Sequence, residues 1–283
     1  MAPRSAPTER QRRLGAEMRK MRMAAGMTTE FAAGLLGVPR TNIPNMESGR
    51  SGISPDRVRT LARNYGCSDE AYVNTLVSMT AGRSKGWWEA YRGVLPDSLL
   101  DVSELEWHAR GLRLALCVHL PGLLQTEGHA RALFKLVIPR LSDAEVDVRV
   151  AHRMERQRIL DRDNPAPLGV IVHEAALRME FGGSSVARAQ LEKLLRLSER
   201  EHITLRVVPF KAGGFPGAGQ SVVYAESGVP QLDTVELDSA HGAEFMDDEE
   251  QLANYRALFD AVESMALPSG ESCDLVHSII RQL

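Results

Sequence analysis

Between Met27 and Arg50 the chain places hydrogen-bonding side chains at helical spacing: Arg40, Thr41, Asn42 and Asn45, interleaved with apolar Val38, Ile43 and Met46. When the apolar three anchor one face of a helix, the polar four face outward. An outward guanidinium matches the O6/N7 edge of guanine, an outward amide matches the N6/N7 edge of adenine, and a threonine hydroxyl serves a base edge or a phosphate. Helices that only pack more often carry Glu/Lys pairs on such a face. That plainer reading, two packed helices and no ligand, stands beside the first.

Such side chains need a scaffold. Ala32 and Ala33 are small enough for a second helix to cross closely, and Gly37 suits the turn between them. Thr28 reads as an N-cap with Glu30 in the first turn, and the second helix spans Pro39 to Glu47. Leu14, Met18, Met21 and Ala25 form the stripe of an earlier helix that stops at Gly26. Ser54-Pro55 opens a fourth helix to about Tyr65, and Ser68-Asp69-Glu70 opens a fifth to about Thr80. Residues 9–80 therefore read as an all-α domain of five helices. A disordered tail (1–8) is expected before it, and a polar, Gly-containing linker (81–86) after it.

On these residues the first part of the chain resembles the lambda-repressor-like (XRE) helix-turn-helix family. The usual line of that family is close to LTQEELAERLGVSRSTISRIERGR. Met27-Thr28, Glu30, Ala33, Leu36-Gly37-Val38, Arg40, Ile43, Glu47 and Gly49-Arg50 match it. The resemblance implies that Thr28 and Thr29 touch the DNA backbone. It implies that Arg40, Thr41 and Asn45 face base edges, and that Asn42 and Arg50 lie near phosphates. Three positions depart from the line: Thr29 replaces Gln, Gly34 replaces a good helix former, and Pro44 falls inside the second helix. A helix starting at Pro39 would set the Pro44 ring against the Arg40 carbonyl. With Thr41 as N-cap, Pro44 falls at the third helical position, where no N–H is needed, and the helix is short.

The net charge of −3 hides a split. Residues 1–66 carry 12 Lys+Arg against 5 acids, +7, which leaves −10 for the rest. A basic module joined to an acidic one is the asymmetry expected when one end meets phosphates. From Gln220 to Leu283, 13 acids oppose only Arg256 and Arg281, so this end is expected to lie away from DNA.

Residues 87–283 read as a larger α+β domain. Helices are expected over Asp97–Arg110, Glu127–Ile138, Ser142–Asp161, Ser184–Arg200, Asp247–Met265 and Ser272–Gln282. Strands are expected over Leu112–Leu120, Leu168–Val172, Ile203–Val208, Ser221–Ala225 and Leu232–Leu237. The stretches KGWWEAYRGVLP, HLPGLLQTE, VIVHEAALR, VVPF and QLDTVELDSAHG resemble the C-terminal domain of actinobacterial, toxin–antitoxin-like XRE regulators. That resemblance implies a sensing or partner-binding role, with a small protein partner encoded nearby.

Other constellations carry less. His173-Glu174-Ala175-Ala176-Leu177 lacks the second histidine of a zincin helix and reads as a capped helix start. Gly217-Ala218-Gly219 leads into a strand and reads as a hairpin loop, and Ser184 reads as an N-cap. No catalytic residue, metal ligand or cofactor is assigned. The three cysteines are far apart and suit a reducing cytoplasm, and neither a secretory signal nor a membrane span is expected. Phe31 and Leu35 replace polar residues of the family line on one helix face. The expected cover for them is Trp87-Trp88, the acidic domain or a partner. The chain is thus expected to be a dimeric, sequence-specific regulator of double-stranded DNA and not an enzyme. The alternative is an antitoxin-like module that holds a small protein and binds DNA only for autoregulation.

Overall fold

The computed structural model describes residues 6–80, 86–239 and 242–283. The expected linker, apart from Gly86, and residues 1–5 of the expected tail lie outside them. The chain divides into two compact units, Met1–Leu105 with Gly228–Leu232, and Glu106–Ser227 with Asp233–Leu283. The first unit therefore continues past residue 80, where the sequence reading closes the helical domain.

In the first unit, α1 spans Glu9–Ala24, α2 Thr29–Leu36, α3 Asn42–Glu47, α4 Pro55–Asn64 and α5 Glu70–Met79. Four of these starts follow from their caps. The hydroxyls of Thr8, Thr28 and Ser54 and the Asp69 carboxylate accept from backbone N–H groups of the first turns of α1, α2, α4 and α5. Thr8 and Gln11 form a reciprocal capping box, so the expected tail is ordered at its last residue. Gly26, Gly37 and Gly66 follow the helices at positive φ (66°, 59° and 75°), a conformation in which a side chain would be strained.

The core of this unit joins Leu14, Met18 and Met21 of α1 to Ala32 and Ala33 of α2, Ile43 and Met46 of α3, and Val58 and Leu61 of α4. Val229 and Leu232, far along the chain, complete it. Arg13 Nη2 donates to the Gln231 carbonyl at 2.7 Å, which holds that remote segment on α1. Trp87–Tyr91 forms a 3-10 turn, and α6 (Asp97–His108) begins in this unit.

Among the described residues the second unit has six strands: β1 (Gly111–Leu116), β2 (Leu168–His173), β3 (Ile203–Val208), β4 (Val222–Glu226), β5 (Thr234–Ser239) and β6 (Gly242–Met246). Their order is β3-β2-β1-β4-β5-β6. β1, β2 and β3 are parallel neighbours, and β4, β5 and β6 continue the sheet antiparallel. Parallel neighbours need crossovers. These are α7 (Glu127–Phe134) with α8 (Asp143–Arg156), then α9 (Glu174–Arg178) with α10 (Ser184–Ser198). α11 (Glu249–Met265) and α12 (Ser269–Gln282) close the chain. Ala115, Ile171, Val222, Tyr224 and Val235 pack with Leu252, Phe259 and Val262 of α11. Leu114, Val170, Val223 and Glu236 are in register across the other face of the sheet.

The structure corrects several expected elements. The strand expected to reach Leu120 ends at Leu116, and the helix expected to reach Ile138 ends at Phe134. Pro139 disfavours helical backbone at the residue before it. β6 is additional, too short for a periodic signal, whereas the capped helix start read at His173-Glu174 is the five-residue α9, with the His173 ring accepting from Ala175 N–H. Gly183, not Ser184, occupies the N-cap of α10, and the Ser184 hydroxyl donates to the Leu283 carbonyl at 2.8 Å. The Gly217 loop is no hairpin, since β3 and β4 are not adjacent.

Candidate nucleic-acid interface

α2 and α3 form the helix pair that carries the polar side chains. α3 begins at Asn42, three residues after the expected start. Pro44 is thus its third residue, and its missing N–H costs no intrahelical bond. Thr41 occupies the N-cap position, but with helical φ and ψ and no side-chain cap bond. The turn before it is closed by Asn42 N–H to the Pro39 carbonyl (2.9 Å) and Ile43 N–H to the Arg40 carbonyl (3.2 Å). This tight lead-in keeps Arg40 and Thr41 on the same short helical arc as Asn45.

Ile43 and Met46 are buried, while Arg40, Thr41, Pro44, Asn45, Ser48 and Arg50 are exposed. Asn42 and Thr29 are half-buried, and Thr28 is exposed with its oxygen accepting from Phe31 N–H at 3.2 Å. Two of the candidate reading groups have local partners. Arg40 Nη1 lies 2.7 Å from Glu30 Oε1, an exposed ion pair between α2 and the turn before α3. Asn45 Nδ2 donates to the Thr41 carbonyl at 3.0 Å. Glu30 is held below the usual carboxylate range by its own backbone N–H, then by Thr29 and the Arg40 charge. A pair that open to water exchanges readily for other ions.

What fixes α3 in place was not singled out in the sequence. Arg22 of α1 grips Glu47 at the end of α3 through two hydrogen bonds, Nε–Oε1 at 2.6 Å and Nη2–Oε2 at 3.0 Å. Its Nη1 also donates to the Met27 carbonyl at 2.8 Å. The Glu47 bond is the chief reason the Arg22 pKa is raised. Burial pushes nearby Tyr65 up to about 12. Gly15 is the second device: a Cβ there would meet the Met46 and Glu47 carbonyl oxygens at 2.6 Å. The signals were a glycine inside an amphipathic helix and an acidic residue closing the next-but-one helix.

Phe31 is 44% exposed, and Leu35 is half-buried against the helical core of its own unit. Trp88 is buried, and Trp87 meets Trp88 and Tyr91 edge-on at 5.8 and 6.1 Å. Leu35 is thus covered by the local core, beside core-facing Leu36, which is not one of the expected covers, and Phe31 is exposed.

Among the described residues no group of three or more His, Cys, Asp or Glu is placed to hold a metal ion. Among them, no helix is long and apolar enough to cross a membrane. Residues 13–73 match the family model of a helix-turn-helix domain. No curated protein and no solved structure matches the chain. Residues 99–278 match a second family model, and through that larger part of its length the chain belongs to the family of the domain of unknown function DUF5753.

Proposed function

We propose that the protein is a sequence-specific DNA-binding transcriptional regulator of the XRE kind, which reads DNA with the outward face of α3. The observation that carries this is the division of α3 and the turn that leads into it. Ile43 and Met46 are buried in the helical core, whereas Arg40, Thr41 and Asn45, of the types that pair with base edges, are exposed together. Thr28, Thr29, Asn42 and Arg50 flank that face as phosphate contacts, which set the register of a protein on the duplex. On approach to DNA, Arg40 exchanges Glu30 for a guanine edge or a phosphate. The helix is too short to specify a genomic site alone, so binding is as a homodimer on half-sites about one helical turn apart.

The reading gives the chain no catalytic activity, and it places the protein in the cytoplasm with the second unit as a sensing or partner-binding domain. The open Phe31 ring favours the antitoxin-like alternative to this extent: it leaves an apolar edge on α2 for a small protein partner.

Selection of bound sequences from random DNA with the full chain, followed by binding titrations, tests the reading. A preferred two-fold symmetric site supports it. Equal affinity for all sequences at every salt concentration overturns it.

A further inference from the structure

The loop after β1, residues 117–126, holds most of the HLPGLLQTE stretch, which DNA reading leaves unused. The chain leaves β1 for β2 and β3 on one side, while β4 flanks β1 on the other.

The side chains there make an unusual set, all within the second unit. Arg153 of α8 is half-buried, donates from Nη1 to Gln125 Oε1 at 2.6 Å, and lies over the Phe134 ring at 4.7 Å. Gln125 is itself fixed, since its Nε2 donates to the Leu120 carbonyl at 2.7 Å. Its backbone carbonyl accepts from Lys193 Nζ and Gln157 Nε2, both at 2.8 Å. A Cβ at Gly122 would stand 3.2 Å from Arg153 and 3.1 Å from Arg156, so glycine lets the loop close on both guanidiniums.

Arg156 has its counter-ion, with Glu106 at 2.6 Å. Among the described residues Arg153 has no carboxylate within ion-pair distance, and burial pushes it down to about 9. Asp238 is near enough to favour its charge, and buried Glu236 on the same strand face is pushed up to about 8. Burial therefore disfavours a negative charge on Glu236.

His129 of α7 is only 1% exposed, and neither of its ring nitrogens has a hydrogen-bond partner among the described residues. Its ring meets Phe181 at 5.4 Å, and exposed His119 meets the same phenyl ring at 5.5 Å. Buried polar groups left without partners are rare in native folds and ask for a reason.

We propose that the loop after β1, with α7 and α8, binds a small ligand bearing an oxyanion, a phosphate or a carboxylate. Arg153 is the principal donor, through the edge of the guanidinium not engaged by Gln125. His129 and His119 supply further N–H groups, and Phe181 flanks the carbon part of the ligand. A pre-positioned guanidinium suits planar or tetrahedral oxyanions because it donates in a fixed fork.

The test uses the full chain and two probes, inorganic phosphate and acetate, each exchanged against chloride at constant ionic strength. Side-chain NMR follows His119, His129 and Arg153. Saturable shifts of all three with one ion support the site and tell a phosphate ligand from a carboxylate ligand. The His129 midpoint, held near 4 by burial, then rises, because a bound anion favours the imidazolium. Arg153→Gln weakens the titration about tenfold or more. Where that variant fails to fold, Arg153→Lys decides: it keeps the charge, loses the fork and weakens binding about threefold or more. Arg140→Gln, at an exposed cation beyond α7, leaves binding unchanged. The proposal is overturned when neither ion gives a saturable shift, when the folded Arg153 variants titrate like the wild type, or when the His129 midpoint stays put in both ions. None of these outcomes bears on DNA reading by α3.

Discussion

Two arginine–glutamate pairs flank α3, one from α1 on its inner face and one to α2 on its outer face. Arg22 and Glu47 are 12% and 9% exposed and share two hydrogen bonds. Arg40 and Glu30 are 69% and 54% exposed and share one contact. The chemistry is the same, but the surroundings differ. Removing one partner of a buried pair leaves an uncompensated charge, and water cannot repair it. Removing one partner of an exposed pair leaves a hydrated ion. The inner pair thus holds α3 in place, and the outer pair, open to water, is the one that the proposed DNA reading exchanges.

That contrast can be broken at several points. The largest effect is expected on the inner face. Glu47→Ala should cost about 3–5 kcal/mol by leaving Arg22 buried without its partner. Denaturant unfolding of the full chain measures it, and a loss no larger than that of Glu30→Ala would erase the distinction. Gly15→Ala attacks the same junction sterically, because backbone oxygens at 2.6 Å cannot move aside as a side chain would. A cost of about 3 kcal/mol is expected, with weakened DNA binding as α3 shifts.

Leu232→Ala asks whether the inner face depends on the remote segment that completes its core. A loss of about 2–3 kcal/mol, read by hydrogen exchange in α1 to α5, is expected. Protection unchanged in those helices would show that the segment is dispensable.

Glu236 sharpens the contrast, being a buried carboxyl with no cation bonded to it among the described residues. It sits at about 8 in the folded chain against 4.5 when exposed. The folded state therefore holds a proton that the unfolded chain releases between those values. This contribution is full below the lower value and is lost as pH rises towards the upper one. His129 and His152, lowered by burial to about 4 and about 3, act in the other sense. The unfolded chain takes up their protons first, so stability falls as pH drops below 6.5. Stability is expected to peak near pH 6.5, where the histidines lose their pull and the carboxyl still opposes a rise. In Glu236→Gln the alkaline decline becomes shallower by about 1.4 kcal/mol per pH unit, one proton's worth. Unfolding midpoints measured from pH 5 to 8, flanking that peak by about 1.5 units either way, check it.

The smallest effect on stability is expected on the outer face. Arg40→Ala should leave the unfolding midpoint unchanged within error. It should still lose about 1–3 kcal/mol of discrimination between operator and random DNA. A variant that keeps full discrimination removes Arg40 from the reading face.

Much of this was legible along the chain, because caps and stops are local. Thr28, Ser54 and Asp69 hydrogen-bond to their own first turns, and Gly37 and Gly66 take positive φ next to the helices they end. Those interactions span three or four residues, so composition and spacing reveal them. Pro44 was legible in the same way, since a ring without an N–H is tolerated at the third position of a helix and not further in. The short apolar runs of β2 and β3 were enough to mark strands, but not their order.

By itself, then, the sequence determined the helical module, its polar face and the mixed character of the larger unit. Only the tertiary structure decided which charges are buried. Arg22 and Arg40 look alike in the chain, yet one finds Glu47 in the interior and the other meets Glu30 in water. Tertiary packing also brought Leu232 into the helical core and left the His129 nitrogens without partners among the described residues. The physical reason is range. A cap is satisfied within one turn, whereas burial depends on every element that packs around a side chain, and spacing along the chain carries no record of that.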